Sequence, residues 1–265
     1  MHYPEKQMIL EESVMSTKTK QRINLETNDK IMKQEIAVRM WAKAPCVKDR
    51  LEFLSECALS SCWGDNDMAE GDELCERAKA CGHIWDVAHM SIKEIREAAG
   101  LSRAMLSKRL AIPQSTIQSW EAGEECPGHV RFMAALLVGI LDKHDYISIS
   151  ADMQEIVVEM WADAPCVKDR GEFLSEWALS SCWGDNDMAE GDELCERAKA
   201  CGHIWDVAHM SIKEIREAAG MSQAMLSKRL AIPQSTIQSW EAGEECPDYV
   251  RFMVALLTGV ITTSN

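Results

Sequence analysis

The chain has 265 residues, of which 46% are hydrophobic and 27% charged, and it carries a net charge of −15. Such a composition excludes a disordered or fibrous chain, and the length suffices for two ordinary domains, each with its own core. No apolar run reaches the roughly 20 residues that a membrane span needs. The opening stretch MHYPEKQMILEES has neither the basic nor the apolar region of a secretory signal, so no membrane partner is expected and the cytoplasm is the expected compartment.

An N-terminal arm, residues 1–33, precedes the first of two copies of one unit. Residue n matches residue n+120 without a gap, from repeat 1 (34–141), across a polar linker (142–153), to repeat 2 (154–261). A period of this length marks whole domains rather than solenoid units. The eleven cysteines include five positions that occur twice, and Cys57 faces Trp177 in the other copy. An odd count without a signal peptide predicts reduced, packed thiols rather than disulfides.

Within a copy, residues 34–43 read as a helix that ends before Pro45. Residues 47–60 form a second, with Val47, Leu51, Leu54 and Ala58 as its apolar stripe. Trp63-Gly-Asp-Asn-Asp67 is a break; Trp63 and Trp183 read first as core, and if exposed beside this turn as protein-contact residues. Residues 68–81 give a third helix stopped by Gly82, and 83–89 a short fourth. Nowhere does apolar character alternate with period two, so the expected fold is all-α, with upstream helices 34–90 and 154–210 ahead of a second helical group, 91–141 and 211–261. The upstream block of repeat 1 holds six Lys/Arg against eleven Asp/Glu, and that of repeat 2 four against thirteen. The acid therefore lies mainly in the upstream helices.

The second group carries clear local signals. Ser91 and Glu94 form a capping box that opens a helix over 92–99, and Gly100 supplies its C-terminal cap. Ser102 caps a helix over 103–110. Ala111 and Ile112 make a tight turn, Pro113 starts the next helix, and Gly123 ends it. Pro127 opens a last helix, with Val130, Met133, Leu136 and Leu137 packing inward.

Residues 100–127, GLSRAMLSKRLAIPQSTIQSWEAGEECP, and their counterparts at 220–247 resemble the helix-turn-helix of the Cro/C-repressor (Xre) family. The shared features are the two-helix spacing, the small residue in the turn, the Ile-x-x-Trp-Glu of the third helix and the glycine after it. The resemblance implies a lambda-repressor-like fold and double-stranded DNA as the partner, with the third helix in the major groove. It implies base or backbone contacts from Gln114, Ser115, Thr116, Gln118 and Ser119, and from Gln234, Ser235, Thr236, Gln238 and Ser239. Gln suits adenine through a bidentate pair. Arg103 stands where relatives touch phosphate and is Gln223 in repeat 2. Lys108, Arg109 and Arg131, with Lys228, Arg229 and Arg251, are further candidates for phosphate contact. The resemblance also pairs Arg96 with Glu121 and Arg216 with Glu241.

One departure bears on function. Many relatives have a basic loop after the third helix; this chain has Glu124 and Glu125. Two carboxylates there oppose phosphate and lower the electrostatic share of any DNA affinity. Two functions follow as alternatives. The first is a tandem DNA-binding transcriptional regulator, one chain carrying what other proteins obtain by dimerising, with a homodimer as a further arrangement. The second is an acidic protein-binding inhibitor, antitoxin-like or anti-CRISPR-like, whose acidic face engages a basic partner.

Other constellations are weak. Asp65, Asp67, Gly71 and Glu76 miss the calcium-loop register by one residue. Cys75, Cys81, His83 and His89 lack the close cysteine pair of structural zinc sites. No cofactor, metal or catalytic residue is expected, and no enzyme activity.

Overall fold

A computed structural model describes residues 35–60, 63, 70–141, 151–180, 183 and 190–261, with side chains from 154 onward in the helix that begins at Ala151. Every regular element among these residues is helical. In repeat 1 the elements are α1 (35–43), a 3-10 turn Ala44–Cys46, α2 (Arg50–Ala58), α3 (Gly71–Ala88), α4 (Ile92–Ala98), α5 (Arg103–Leu110), α6 (Gln114–Glu121) and α7 (Gly128–Leu137). Repeat 2 follows the same order with α8 (Ala151–Asp163), α9 (Arg170–Ala178), α10 (Gly191–Ala208), α11 (Ile212–Ala218), α12 (Gln223–Leu230), α13 (Gln234–Glu241) and α14 (Asp248–Leu257).

Helix α1 buries Ile36, Met40 and Trp41. The Trp41 indole packs on Phe132 of α7, with centroids 5.2 Å apart, and donates to the Gly128 carbonyl at 3.2 Å. That pairing of ring contact and satisfied N–H is how a buried tryptophan anchors a helix. Asp49 caps α2, its carboxylate accepting from the Leu51 and Glu52 amides at 2.8 and 2.9 Å. The cap fixes the start of α2 three residues later than the apolar pattern alone predicts. With that start, Phe53, Cys57 and Ala58 turn inward and Leu51 is 74% exposed. Leu51 is therefore no part of the core stripe, and repeat 2 has Gly171 in its place.

The expected stop at Gly82 is corrected as well. Residues 71–88 form one helix of 18 residues that runs through it. A Cβ on Gly82 would lie 2.6 Å from Nη2 of Arg50. Arg50 crosses α3 at this point to meet Asp86 with two parallel bonds of 2.8 Å. Gly82 is thus a passage for a side chain rather than a helix terminator, and Gly202 serves Arg170 and Asp206 in the same way.

Trp63 is half-buried. Its N–H donates to the Cys57 carbonyl at 3.0 Å, and the Arg77 guanidinium stacks 5.5 Å from the ring centroid. Trp183 repeats both contacts, with Trp177 and Arg197. The two indoles brace α2 to α3 and α9 to α10 and pack against the core, as the first of their two readings expects. The aspartates of the calcium-like pattern lie outside the described residues. Cys81 is buried and Cys75 exposed, while His83 Nε2 lies 2.8 Å from the Ile140 carbonyl and His89 Nδ1 2.8 Å from that of Trp85. Among the described residues none of the nine cysteines is in a disulfide, and no helix is long and apolar enough to cross a membrane.

The buried side chains of the two repeats run together as one connected core rather than two separate ones. Helix α7 packs against α14, and α5 against α8. Trp120 meets Tyr249 edge-on at 6.0 Å, and Trp240 meets His129 edge-on at 5.9 Å, so the two contacts are related by the repeat. At the α5–α8 contact, buried Gln154 donates to the Arg109 carbonyl at 2.7 Å. Glu155 lies 3.5 Å from Arg109, and Glu159 lies 3.7 Å from Lys108. On the other side Lys228 lies 3.9 Å from Glu35 of α1.

Candidate nucleic-acid interface

Helices α4 to α7 form the helix-turn-helix unit of repeat 1. Ser91 and Glu94 close the expected capping box: the Ser91 hydroxyl accepts from the Glu94 amide and the Glu94 carboxylate accepts from the Ser91 amide. The Ser91 amide, and then the Ser91 hydroxyl, donate to the Glu94 carboxylate and hold it below the usual range. Ser102 caps α5 by accepting from the Met105 amide. Between α5 and α6, Ala111 takes a left-handed conformation, φ 55°. That one residue turns the chain so that Pro113 can launch α6, and Ala231 does the same at φ 57°.

Under α6, Ile117 is fully buried and sets which face turns outward. Gln114, Ser115 and Gln118 are exposed, with Thr116 and Ser119 half-buried beside them. Gln234, Ser235 and Gln238 are likewise exposed on α13, with Thr236 and Ser239 half-buried. Neither helix carries a charged side chain before its final glutamate.

That glutamate is an anchor. The Glu121 side chain is 2% exposed and receives Arg96 Nε at 2.6 Å and Arg103 Nε at 2.6 Å. Burial pushes its carboxyl up, but the two guanidiniums outweigh burial and hold it below the usual range. Arg96 also donates to the Leu101 carbonyl, which ties α4, the α4–α5 loop and α6 together. In repeat 2, Glu241 receives Arg216 at 2.6 Å, and Gln223 Nε2 takes the place of Arg103 at 2.8 Å. The exchange of Arg103 for Gln223 thus keeps the hydrogen bond and drops a charge. Arg103 remains half-exposed while bound to Glu121.

The other cations are placed less favourably for phosphate. Arg131 donates to the Ala88 and Met90 carbonyls at 2.9 and 2.8 Å and stacks on Trp41, and Arg251 repeats this with Ala208, Met210 and Trp161. These two cations close the end of α3 or α10 onto α7 or α14, a structural role beside the phosphate contact expected of them. Arg109 faces Glu155 across the repeats, and Arg229 donates to the Leu257 carbonyl. Lys108 and Lys228 stay well exposed, with Glu159 and Glu35 nearby. Sequence reasoning missed these partners because all lie in another element or in the other repeat. The matched signs at 108–159 and 109–155 are the only trace of them in the sequence.

After α6 the chain turns at Gly123, φ 118°, and exposes Glu124 and Glu125; Glu244 and Glu245 are exposed in repeat 2. The same loops end at Cys126 and Cys246, whose thiols burial pushes up to about 12. Both thiols lie close enough to Tyr249 to act on its hydroxyl, which burial first, and then they, push upward. Burial also lowers His129 to about 4, so its ring is neutral against Trp240 at neutral pH. The two acidic loops therefore adjoin the contact between the repeats.

Comparison with known families agrees with this geometry. Residues 92–128 and 212–251 each match the family described as Helix-turn-helix. No curated protein and no solved structure matches the chain. The fold and the two matches define a tandem helix-turn-helix protein, a class that binds DNA. The chain carries two copies of the Cro/C-repressor type of domain, one in each repeat.

Proposed function

We propose that this chain is a cytoplasmic transcriptional regulator that reads two half-sites on one duplex with α6 and α13. One observation carries the proposal. Two helix-turn-helix units with the same exposed Gln and Ser side chains are packed into one body through α7 and α14. Linkage within one chain raises the effective concentration of the second reader once the first has bound. In this reading Gln114, Ser115 and Gln118, with Gln234, Ser235 and Gln238, approach base edges. Thr116, Ser119, Thr236 and Ser239 flank them. Arg103 adds a phosphate contact that Gln223 cannot match in strength, so the two half-sites are bound unequally. The domain limits are those of the repeats, 34–141 and 154–261.

The test is selection from random duplex DNA with the full chain, followed by salt titration of the enriched site. A motif repeated at about one helical turn, with affinity falling as salt rises, is the expected outcome. A well-folded chain that enriches nothing would sink the proposal.

A second reading is favoured by the exposed Glu124, Glu125, Glu244 and Glu245 beside the recognition helices. In it the acidic face inhibits a basic protein partner, in the manner of an antitoxin or an anti-CRISPR product. Enrichment of no DNA, together with salt-sensitive binding of a basic protein that is lost in the Glu→Gln loop variants, is its expected signature.

A further inference from the structure

Repeat 1 holds a cavity of about 200 Å³ between α1 and α2. Ile36, Met40 and Cys57 give it apolar walls, and Arg39, Lys43 and Glu56 stand at its rim. Repeat 2 builds the same place from different side chains at three of these positions: Glu159 for Arg39, Asp163 for Lys43 and Trp177 for Cys57. The Trp177 indole spans from α9 to α8 and donates to Asp163 Oδ2 at 3.0 Å. The two positions that this bond joins are the counterparts of Cys57 and Lys43. Repeat 2 therefore places its own indole where repeat 1 leaves space.

The difference is local to these side chains. Phe53 and Phe173 are both fully buried, and the Arg50–Asp86 and Arg170–Asp206 bonds are both 2.8 Å. The helix pairs are thus held by the same contacts, and only the filling of the gap differs. A cavity of roughly 150 Å³ takes a benzene ring, so one of about 200 Å³ suits a slightly larger flat ring system.

We infer that the repeat 1 cavity is a binding site for a small two-ring aromatic of the indole class. The apolar walls take the ring. The Glu56 carboxylate accepts the ring N–H, as Asp163 does for Trp177 in repeat 2. Lys43, which pairs with Glu56, keeps its ammonium beside the ring, where a cation and a π-face attract. The site also borders the brace between the repeats: Arg39 pairs with Glu35, and Glu35 faces Lys228.

Calorimetric titration of the full chain with indole tests this, since the site depends on no DNA. One indole per chain is expected. The double variant Cys57→Trp, Lys43→Asp installs the repeat 2 pair and is expected to abolish binding and raise the melting temperature. The opposite variant, Trp177→Cys, Asp163→Lys, opens the counterpart in repeat 2 and is expected to bind two. Absence of binding to the full chain at millimolar indole would overturn the site, and so would one-to-one binding that persists in the filled variant. The cavity would then belong to another occupant, the chain's own residues 1–33 or a partner protein.

Discussion

Single residues in this chain carry more of the design than their types suggest. Glu121 ends the recognition helix and is also its foundation, because two guanidiniums from α4 and α5 converge on a carboxylate that is 2% exposed. Losing Arg96 leaves Glu121 with the half-exposed Arg103 alone and takes the donor from the Leu101 carbonyl. Arg96→Met is expected to cost about 1–3 kcal/mol, read as a lower denaturant midpoint, whereas Arg103→Gln, which copies repeat 2, is expected to cost under about 1 kcal/mol. On the opposite face of α6, Gln114→Ala is expected to weaken binding to the selected site by about 1–3 kcal/mol, checked by titration; unchanged affinity would remove Gln114 from the contact set. His129 gives a pH signature. Its folded value of about 4 lies below the ordinary 6.5, so the unfolded chain binds the proton first as pH falls. The stability due to neutral His129 is complete above 6.5 and is lost between 6.5 and 4, by up to about 3 kcal/mol. His129→Tyr, the residue repeat 2 uses, is expected to flatten that window in urea melts at pH 7 and pH 5.

At the scale of elements, helix boundaries were legible where a cap announced them and misread where a side chain from elsewhere set the rule. The capping box at Ser91 and Glu94, the cap at Ser102 and the Pro113 and Pro127 starts are local chemistry, and α4 to α7 fall where those signals put them. Gly82 is the contrary case. A helix-interior glycine normally costs about 1 kcal/mol relative to alanine. Here the missing Cβ makes room for Arg50, a residue 32 positions earlier, which no local pattern reveals. A double-mutant cycle checks the account. Gly82→Ala is expected to add about 1 kcal/mol of stability in an Arg50→Ala background and clearly less in the natural chain, where it displaces Arg50 from Asp86. Equal effects in both backgrounds would refute the coupling.

The whole molecule is joined more closely than its repeat suggests. A linked pair of independent domains would unfold in two steps. One connected core, the Trp120–Tyr249 and Trp240–His129 contacts and the α5–α8 brace predict a single transition, with calorimetric and van't Hoff enthalpies in agreement. The brace also bears on the charges of α5: Lys108 and Arg109 read as a phosphate grip, and Glu159 and Glu155 of the other repeat lie opposite them. The loop carboxylates add to the negative charge at the candidate interface, beside the exposed Lys108 and Lys228. Neutralising Glu124, Glu125, Glu244 and Glu245 to Gln is expected to raise DNA affinity by about 0.5 kcal/mol for each carboxylate.

The sequence by itself determined the all-helical class, the 120-residue repeat, the helix-turn-helix and the faces of α6 and α13, because each of these rests on spacing, caps and apolar period within a short stretch of chain. Arg96–Glu121 was legible only through resemblance, since nothing in a 25-residue separation says that two charges meet. The tertiary structure alone decided that Leu51 faces solvent and that Arg131 and Arg251 close helix ends. It also decided that α8 lies on α5 and that one repeat is filled by an indole where the other is open. All of these depend on contacts between residues far apart in the chain or in different copies. Two nearly identical sequences must take up different surroundings as soon as they pack against each other, and no reading of one copy can supply the other.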